Sequence, residues 1–122
     1  MDIQKFAEET FRSDARIRYL GVVDTRFDIL SSHMREGVQS VTTDDQERNF
    51  VQIMAPIIID AVEKLQPVLG NLDNVTLRYE KILLTLFRME DLVVTLSFNA
   101  DVSTPFISSL SESMRKLGSR YL

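Results

Sequence analysis

The run Ile82 to Arg88 limits what the rest of the chain can become. Ile82, Leu84 and Leu86 alternate with Leu83 and Phe87, so a strand here is apolar on both faces. Successive side chains of a strand point to opposite sides. A strand with two apolar faces wants cover on both, as in a sheet sandwiched between helices. No unbroken apolar run exceeds three residues, as at Ile57–Ile59 and Ile82–Leu84, far short of the roughly 18 residues of a membrane span. Helices on both sides of the sheet are the expected cover.

Helical and strand periods follow one another in an order that can supply it. Ile3, Phe6, Ala7 and Phe11 recur at helical spacing until Ser13-Asp14 breaks the pattern. Ile17–Val23 and Phe27–Ser32 read as a hairpin about an Asp24-Thr25-Arg26 turn. The polar stretch Ser31–Thr43 has no period and reads as a loop. A long helix is expected over Asp44–Leu65. Thr43 and Gln46 give the T-x-x-Q of a capping box, and Asp44, Asp45 and Glu47 place negative charge where the helix dipole favours it. Pro56 in its interior is expected to kink or split it, and Pro67 and Gly70 to end it. Val75–Tyr79, Ile82–Arg88 and Leu92–Phe98 read as three strands. A last helix is expected with Thr104 as cap, Pro105 at the first helical position, and Phe106, Ile107, Leu110, Met114, Leu117 and Tyr121 on its apolar side.

The order α-β-β-α-β-β-β-α gives an α/β (α+β) fold class: a five-stranded, mainly antiparallel sheet in a three-layer α/β/α sandwich. The long helix covers one face and the two terminal helices the other. The 122 residues suit a single domain, 1–122, with chain enough for a core.

Composition excludes several classes of function. With no cysteine there is no disulfide framework, thiolate metal site or cysteine nucleophile. The one histidine, His33, argues against a multi-histidine metal site. A net charge of −4 does not favour nucleic acid or an anionic membrane. No nucleophile elbow or glycine-rich phosphate loop occurs. The expectation is a non-enzymatic protein without cofactor or metal. Asp44, Asp45 and Glu47 lack the glycine and terminal glutamate of a calcium loop, and helix-start electrostatics account for them. The acidic, amphipathic start MDIQKFAEETF has no signal-peptide character, so a cytoplasmic location is expected.

The stretches Ile17–Asp24 (IRYLGVVD), Met34–Val38 (MREGV) and Arg78–Lys81 (RYEK) leading into Ile82–Phe87, set in this element order, resemble the roadblock family of dynein light chains. Within the wider longin and profilin fold group, they look most like an archaeal family of roadblock-like proteins with no assigned function. The roadblock hairpin usually carries a glycine, as D-x-x-G, where this chain has Asp24-Thr25-Arg26-Phe27. The resemblance implies a scaffold rather than a catalyst. It implies a homodimer or heterodimer in which long helices pair and third strands join two sheets, and binding or regulation of a small Ras-like GTPase.

The residues themselves single out two surfaces. On the long helix Phe50, Ile53, Met54, Ile57, Ala61 and Leu65 form one apolar stripe, widened by Val51, Ile58 and Val62 and carried towards the back by Ala55 and Ile59. That arc exceeds what one sheet contact needs. A register shift at Pro56 would let the two halves present different faces to one core; otherwise the surplus apolar surface marks an interface. Phe50, Met54, Ile58, Ile59 and Val62 are the expected dimer contacts on the helix. Val75, Leu77 and Tyr79 extend the contact along the third strand by edge pairing. The loop residues Arg35, Glu36 and Gly37 are candidates for meeting another protein. Two alternatives stand beside the dimeric scaffold. One is a small-ligand sensor, which requires a sizeable apolar pocket with a few convergent polar groups. The other is a profilin-like, actin-binding module, by fold analogy.

Overall fold

In the computed structural model, which describes residues 1–122, five strands form one sheet in the order β2-β1-β5-β4-β3, and every neighbouring pair is antiparallel. The elements are α1 (Ile3–Ser13), β1 (Tyr19–Val23), β2 (Ile29–Met34), α2 (Asp44–Asn49), a π-helical turn (Phe50–Met54), α3 (Ala55–Glu63), the short α4 (Gln66–Leu69), β3 (Val75–Arg78), β4 (Ile82–Met89), β5 (Leu92–Asn99) and α5 (Thr104–Tyr121). The expected order and sandwich layering are present. β4 lies between β5 and β3, as its two apolar faces require.

The larger core fills the α1/α5 side. Leu20 and Val22 of β1, Leu83 and Phe87 of β4 and Val94, Leu96 and Phe98 of β5 pack with Phe6, Ile107, Leu110 and Met114. Each such side chain fully buried contributes roughly 1.5–3 kcal/mol. Phe98 meets Phe106 edge-on at 5.4 Å. The smaller core, on the other face, joins Val23, Leu86 and Val93 to Ala55 and Ile59. Arg88 of β4 fastens α3 down by pairing with Asp60 at 2.6 Å and Glu63 at 2.9 Å.

The structure corrects several local expectations. The second strand continues to Met34, so His33 and Met34 belong to β2 rather than to a loop. As an edge strand β2 is exposed on both faces at Ser32 and His33, and these two adjacent polar residues break the apolar alternation. The α5 cap is Ser103, whose hydroxyl accepts from the Phe106 N–H, one position before the expected Thr104. The Thr43–Gln46 capping box forms with both of its bonds. In the hairpin turn Asp24 accepts from the N–H groups of Arg26 and Asp28. Phe27 takes φ 64, the left-handed conformation that the glycine of D-x-x-G would adopt without strain.

The long helix is one rod in segments. The N–H of Ala55 reaches back to the carbonyl of Phe50, five residues away rather than four. Pro56 follows at once. In a regular helix its ring would crowd the carbonyl four residues earlier, and the wider π turn before it relieves that contact. No helix is long and apolar enough to cross a membrane.

Candidate functional site

The π turn sets which side of the rod meets the sheet. Val51, Ala55 and Ile59, four residues apart, are buried against it. Gly21 of β1 makes that approach possible, since a Cβ there would stand 2.9 Å from both γ carbons of Val51. Ile59 is fully buried between Val23, Leu86 and Val93. Contrary to the expected dimer contact, Ile59 packs on its own sheet and offers nothing to another chain.

The stripe that includes Phe50, Ile53, Met54 and Ile57 turns largely the other way. Ile53 is 45% exposed, Met54 43% and Ile57 57%. Phe50 and Ile58 lie half-buried at the margin of the smaller core, and Val62 is 37% exposed. Periodicity finds the apolar stripe but carries no information about what covers it.

Beside the rod lies the open edge of the sheet. β3 is paired with β4 only. Val75, Leu77 and Tyr79 share a face with their partners Leu86, Leu84 and Ile82. Val75 and Leu77 are half-buried and Tyr79 is exposed. The Tyr79 N–H bonds the Ile82 carbonyl at 2.8 Å. Alternation along an antiparallel pair then turns the N–H and C=O of Thr76 and Arg78 outward, to the free edge. The Arg78 guanidinium holds this end of the sheet by donating to the carbonyls of Ala100 and Val102.

Between rod and sheet runs a cleft of about 700 Å³. Phe50, Met54 and Tyr79 form its mouth, and Ile82 and Leu84 the adjoining floor. On its second face β4 is therefore only partly covered by its own chain. The inner end is polar. The Tyr19 hydroxyl pairs with Ser32 Oγ at 2.7 Å, and burial pushes its pKa up to about 12. Thr95 and Ser97 of β5 line the same end, as does Glu47 of α2, whose pKa is raised by burial and then by the charge of Asp44.

The other predicted surface divides. The Arg35 guanidinium donates to the carbonyls of Phe11 (2.7 Å), Asp14 (2.6 Å) and Ile17 (2.7 Å) and lies 5.2 Å from the Phe11 ring. It locks the end of α1 to the start of β1. Glu36 and Gly37 are exposed beside it, Gly37 at φ 81. No group of three or more metal-ligating side chains converges anywhere. Sequence reasoning assigned Ile53 and Ile57 to the stripe without naming them as contacts, and missed the Tyr19, Thr95 and Ser97 end of the cleft. The excess width of the helix arc was the available signal for the first two; the last three come together only through sheet register.

No protein-family model and no curated protein matches this sequence. Solved structures match it along nearly its whole length. A roadblock/LC7 domain from Streptomyces avermitilis superposes with a TM-score of 0.72 at 10% identity, covering 98% of this chain and 94% of the other. The fold is the roadblock/LC7 fold. MglB from Myxococcus xanthus (TM-score 0.66, 17% identity, 97% and 95% covered) and MglC from the same organism (0.63, 13%, 98% and 99%) share it.

Proposed function

We propose that this roadblock-fold chain is a non-catalytic scaffold that pairs with a second copy through the outward side of its long helix and the open edge of β3. The observation that carries this reading is the juxtaposition of three uncovered features. Met54 shares the cleft with Tyr79 and the half-covered Ile82 and Leu84, Ile53 and Ile57 extend its exposed side along the helix, and the unpaired backbone of Thr76 and Arg78 lies on β3, the strand next to β4. Pairing about a two-fold axis covers all three at once and removes a free sheet edge. The contacts on this reading are Phe50, Ile53, Met54, Ile57, Ile58 and Val62 with Val75, Leu77 and Tyr79. One similar structure is an MglB with a tetrameric arrangement, which is consistent with self-association in this fold.

The paired scaffold engages a further regulatory protein, and the roadblock resemblance implies a small Ras-like GTPase. Light scattering tests the pairing. The parent is expected at twice its 14.0 kDa, and Ile57→Asp, which puts an unpaired carboxylate in the seam, at 14.0 kDa with an unchanged circular dichroism spectrum. A parent of 14.0 kDa at micromolar concentration refutes the reading. Capture of a small GTPase by the parent supports the second step, and a purified candidate GTPase that ignores the parent in both nucleotide states counts against it.

A further inference from the structure

We propose that the groove between α1 and the outer edge of β2 docks an extended segment of a partner protein, one that carries basic residues beside a small apolar side chain and adds a strand to the sheet. Three features converge there. The first is free backbone. β2 ends the sheet on the side away from β3 and pairs with β1 only. The Arg35 N–H bonds the Arg18 carbonyl at 2.7 Å, so alternation along the pair turns the N–H and C=O of Ser32 and Met34 outward. Leu30 has no partner across the register shift between Val22 and Val23, and this bulge ends the regular edge. The open stretch Ser31–Met34 therefore suits a short added strand, the mode by which sheet edges take up extended peptides.

The second is apolar room beside that edge. About 820 Å³ lies open between α1 and β2. Ile3, Ala7 and Phe11, four residues apart on α1, line it together with Leu30, which is 37% exposed. His33 stands opposite Leu20 of the larger core, so its side chain lies on the α1 side of the sheet. A side chain of an added strand opposite His33 would take the same side and enter the groove.

The third is charge, which selects the partner. Glu8 of α1 and Glu36 beyond β2 line the groove, both are exposed, and neither makes an ion pair. Arg35 is the one lysine or arginine on the lining, and its guanidinium is engaged by three carbonyls. Lys5 and Arg12 of α1 both turn to Glu9. The groove therefore presents acid to its occupant, and a lysine or arginine on either side of the apolar residue completes the match. Pairing of β2 with the β2 of a second copy would instead set two acidic grooves side by side. The groove lies on the opposite edge and the opposite face of the sheet from the seam proposed above, so the inference does not rest on self-association.

The test uses the capped peptide Thr-Lys-Thr-Val-Thr-Lys-Thr, which puts its valine and both lysines on one strand face, followed by amide chemical shifts of the full chain. Saturable shifts at Ser32 and Met34 and slowed exchange of their N–H groups are expected, with no change at Thr76 and Arg78. The analogue with glutamine for lysine should bind about fivefold more weakly, since each exposed ion pair contributes a few-fold at most, and the analogue with glutamate should not bind. Methylating the three central backbone nitrogens of the peptide removes the donors available to β2 and should abolish binding. Glu8→Gln combined with Glu36→Gln should bring the lysine and glutamine peptides to equal affinity. Absence of saturable shifts at millimolar peptide, equal binding of the lysine and glutamine peptides to the parent, binding that survives methylation, or shifts at Thr76 and Arg78 in place of Ser32 and Met34 overturns the proposal. A mass climbing past twice 14.0 kDa, with the Ser32 and Met34 N–H groups protected before peptide is added, would place a second copy in the groove and overturn it too. The peptide comparisons are made on the parent chain and do not depend on any variant folding.

Discussion

Gly21→Ala isolates the contact that seats the long helix on the sheet. A Cβ at position 21 would lie 2.8 Å from the Tyr19 hydroxyl oxygen and 2.9 Å from both γ carbons of Val51. Ordinary carbon contacts begin near 3.5 Å, so Val51 must retreat by about 0.6 Å. Val51 is 2% exposed and belongs to the π turn, and it cannot retreat without lifting the rod from Val23, Leu86 and Val93. Overpacking of this kind costs about 1–3 kcal/mol. Displacing Tyr19 from Ser32 adds about 1 kcal/mol. The expected total is about 2–4 kcal/mol, a fall of roughly 8–16 °C in Tm for a chain of this size. Urea unfolding gives the free energy, and Val51→Ala supplies the check. Alone it should cost about 2 kcal/mol for lost burial. Combined with Gly21→Ala it should cost at least about 1 kcal/mol less than the sum, since the clash has lost its partner. Gly118→Ala is the control: its Cβ meets the thioether of Met89 at 3.1 Å, a side chain that can swing aside, and helix propensity gains about 1 kcal/mol. A Gly21→Ala cost below about 0.5 kcal/mol, or strict additivity with Val51→Ala, refutes the packing argument.

Three further outcomes are expected. Phe27→Gly should raise stability by about 0.5–1 kcal/mol in thermal melts, since Phe27 sits at φ 64 and left-handed strain outweighs the added chain entropy of glycine; a loss of stability contradicts this. Arg35→Ala should cost about 2–3 kcal/mol in urea unfolding by orphaning three carbonyls, and Arg35→Lys should recover little of it, because an ammonium lacks the guanidinium fork. Tyr19 has a folded pKa of about 12, raised from 10.0, so its contribution is present below pH 10 and is lost as pH rises from 10 to 12. That loss is roughly 2 kcal/mol and should be absent in Tyr19→Phe; parallel pH profiles for the two proteins contradict it.

The parts of the fold that were legible are those in which local pattern and tertiary role coincide. Ile82–Phe87 is apolar on both faces because β4 is an inner strand, buried on the α1/α5 face at Leu83 and Phe87 and partly covered by the rod on the other, and Thr43–Gln46 caps a helix wherever that helix packs. Phase was another matter. Phe50, Ile53, Met54 and Ile57 make the stronger stripe, yet Val51, Ala55 and Ile59 meet the sheet. The π turn before Pro56 adds a residue to one turn, and Gly21 opens a seat for Val51 that no one-dimensional period records. Ile59 was misplaced for the same reason. Arg35 reads from sequence as a loop residue free to meet another protein because its three acceptors are backbone carbonyls, which any sequence carries. Thr95 and Tyr19 reached the cleft through the register of β1 on β5, a long-range pairing.

Hydrogen exchange at the amides of Thr76 and Arg78, followed while the protein is diluted, tests the self-association claim most directly. Both N–H groups point to the open edge of β3, so in a lone chain they should exchange as fast as unstructured amides. In the paired state expected at higher concentration they should slow by at least about tenfold, together with the onset of a mass twice 14.0 kDa. Fast exchange at both positions in a sample already of twice that mass would place the seam elsewhere, and a mass of 14.0 kDa throughout would contradict the pairing itself.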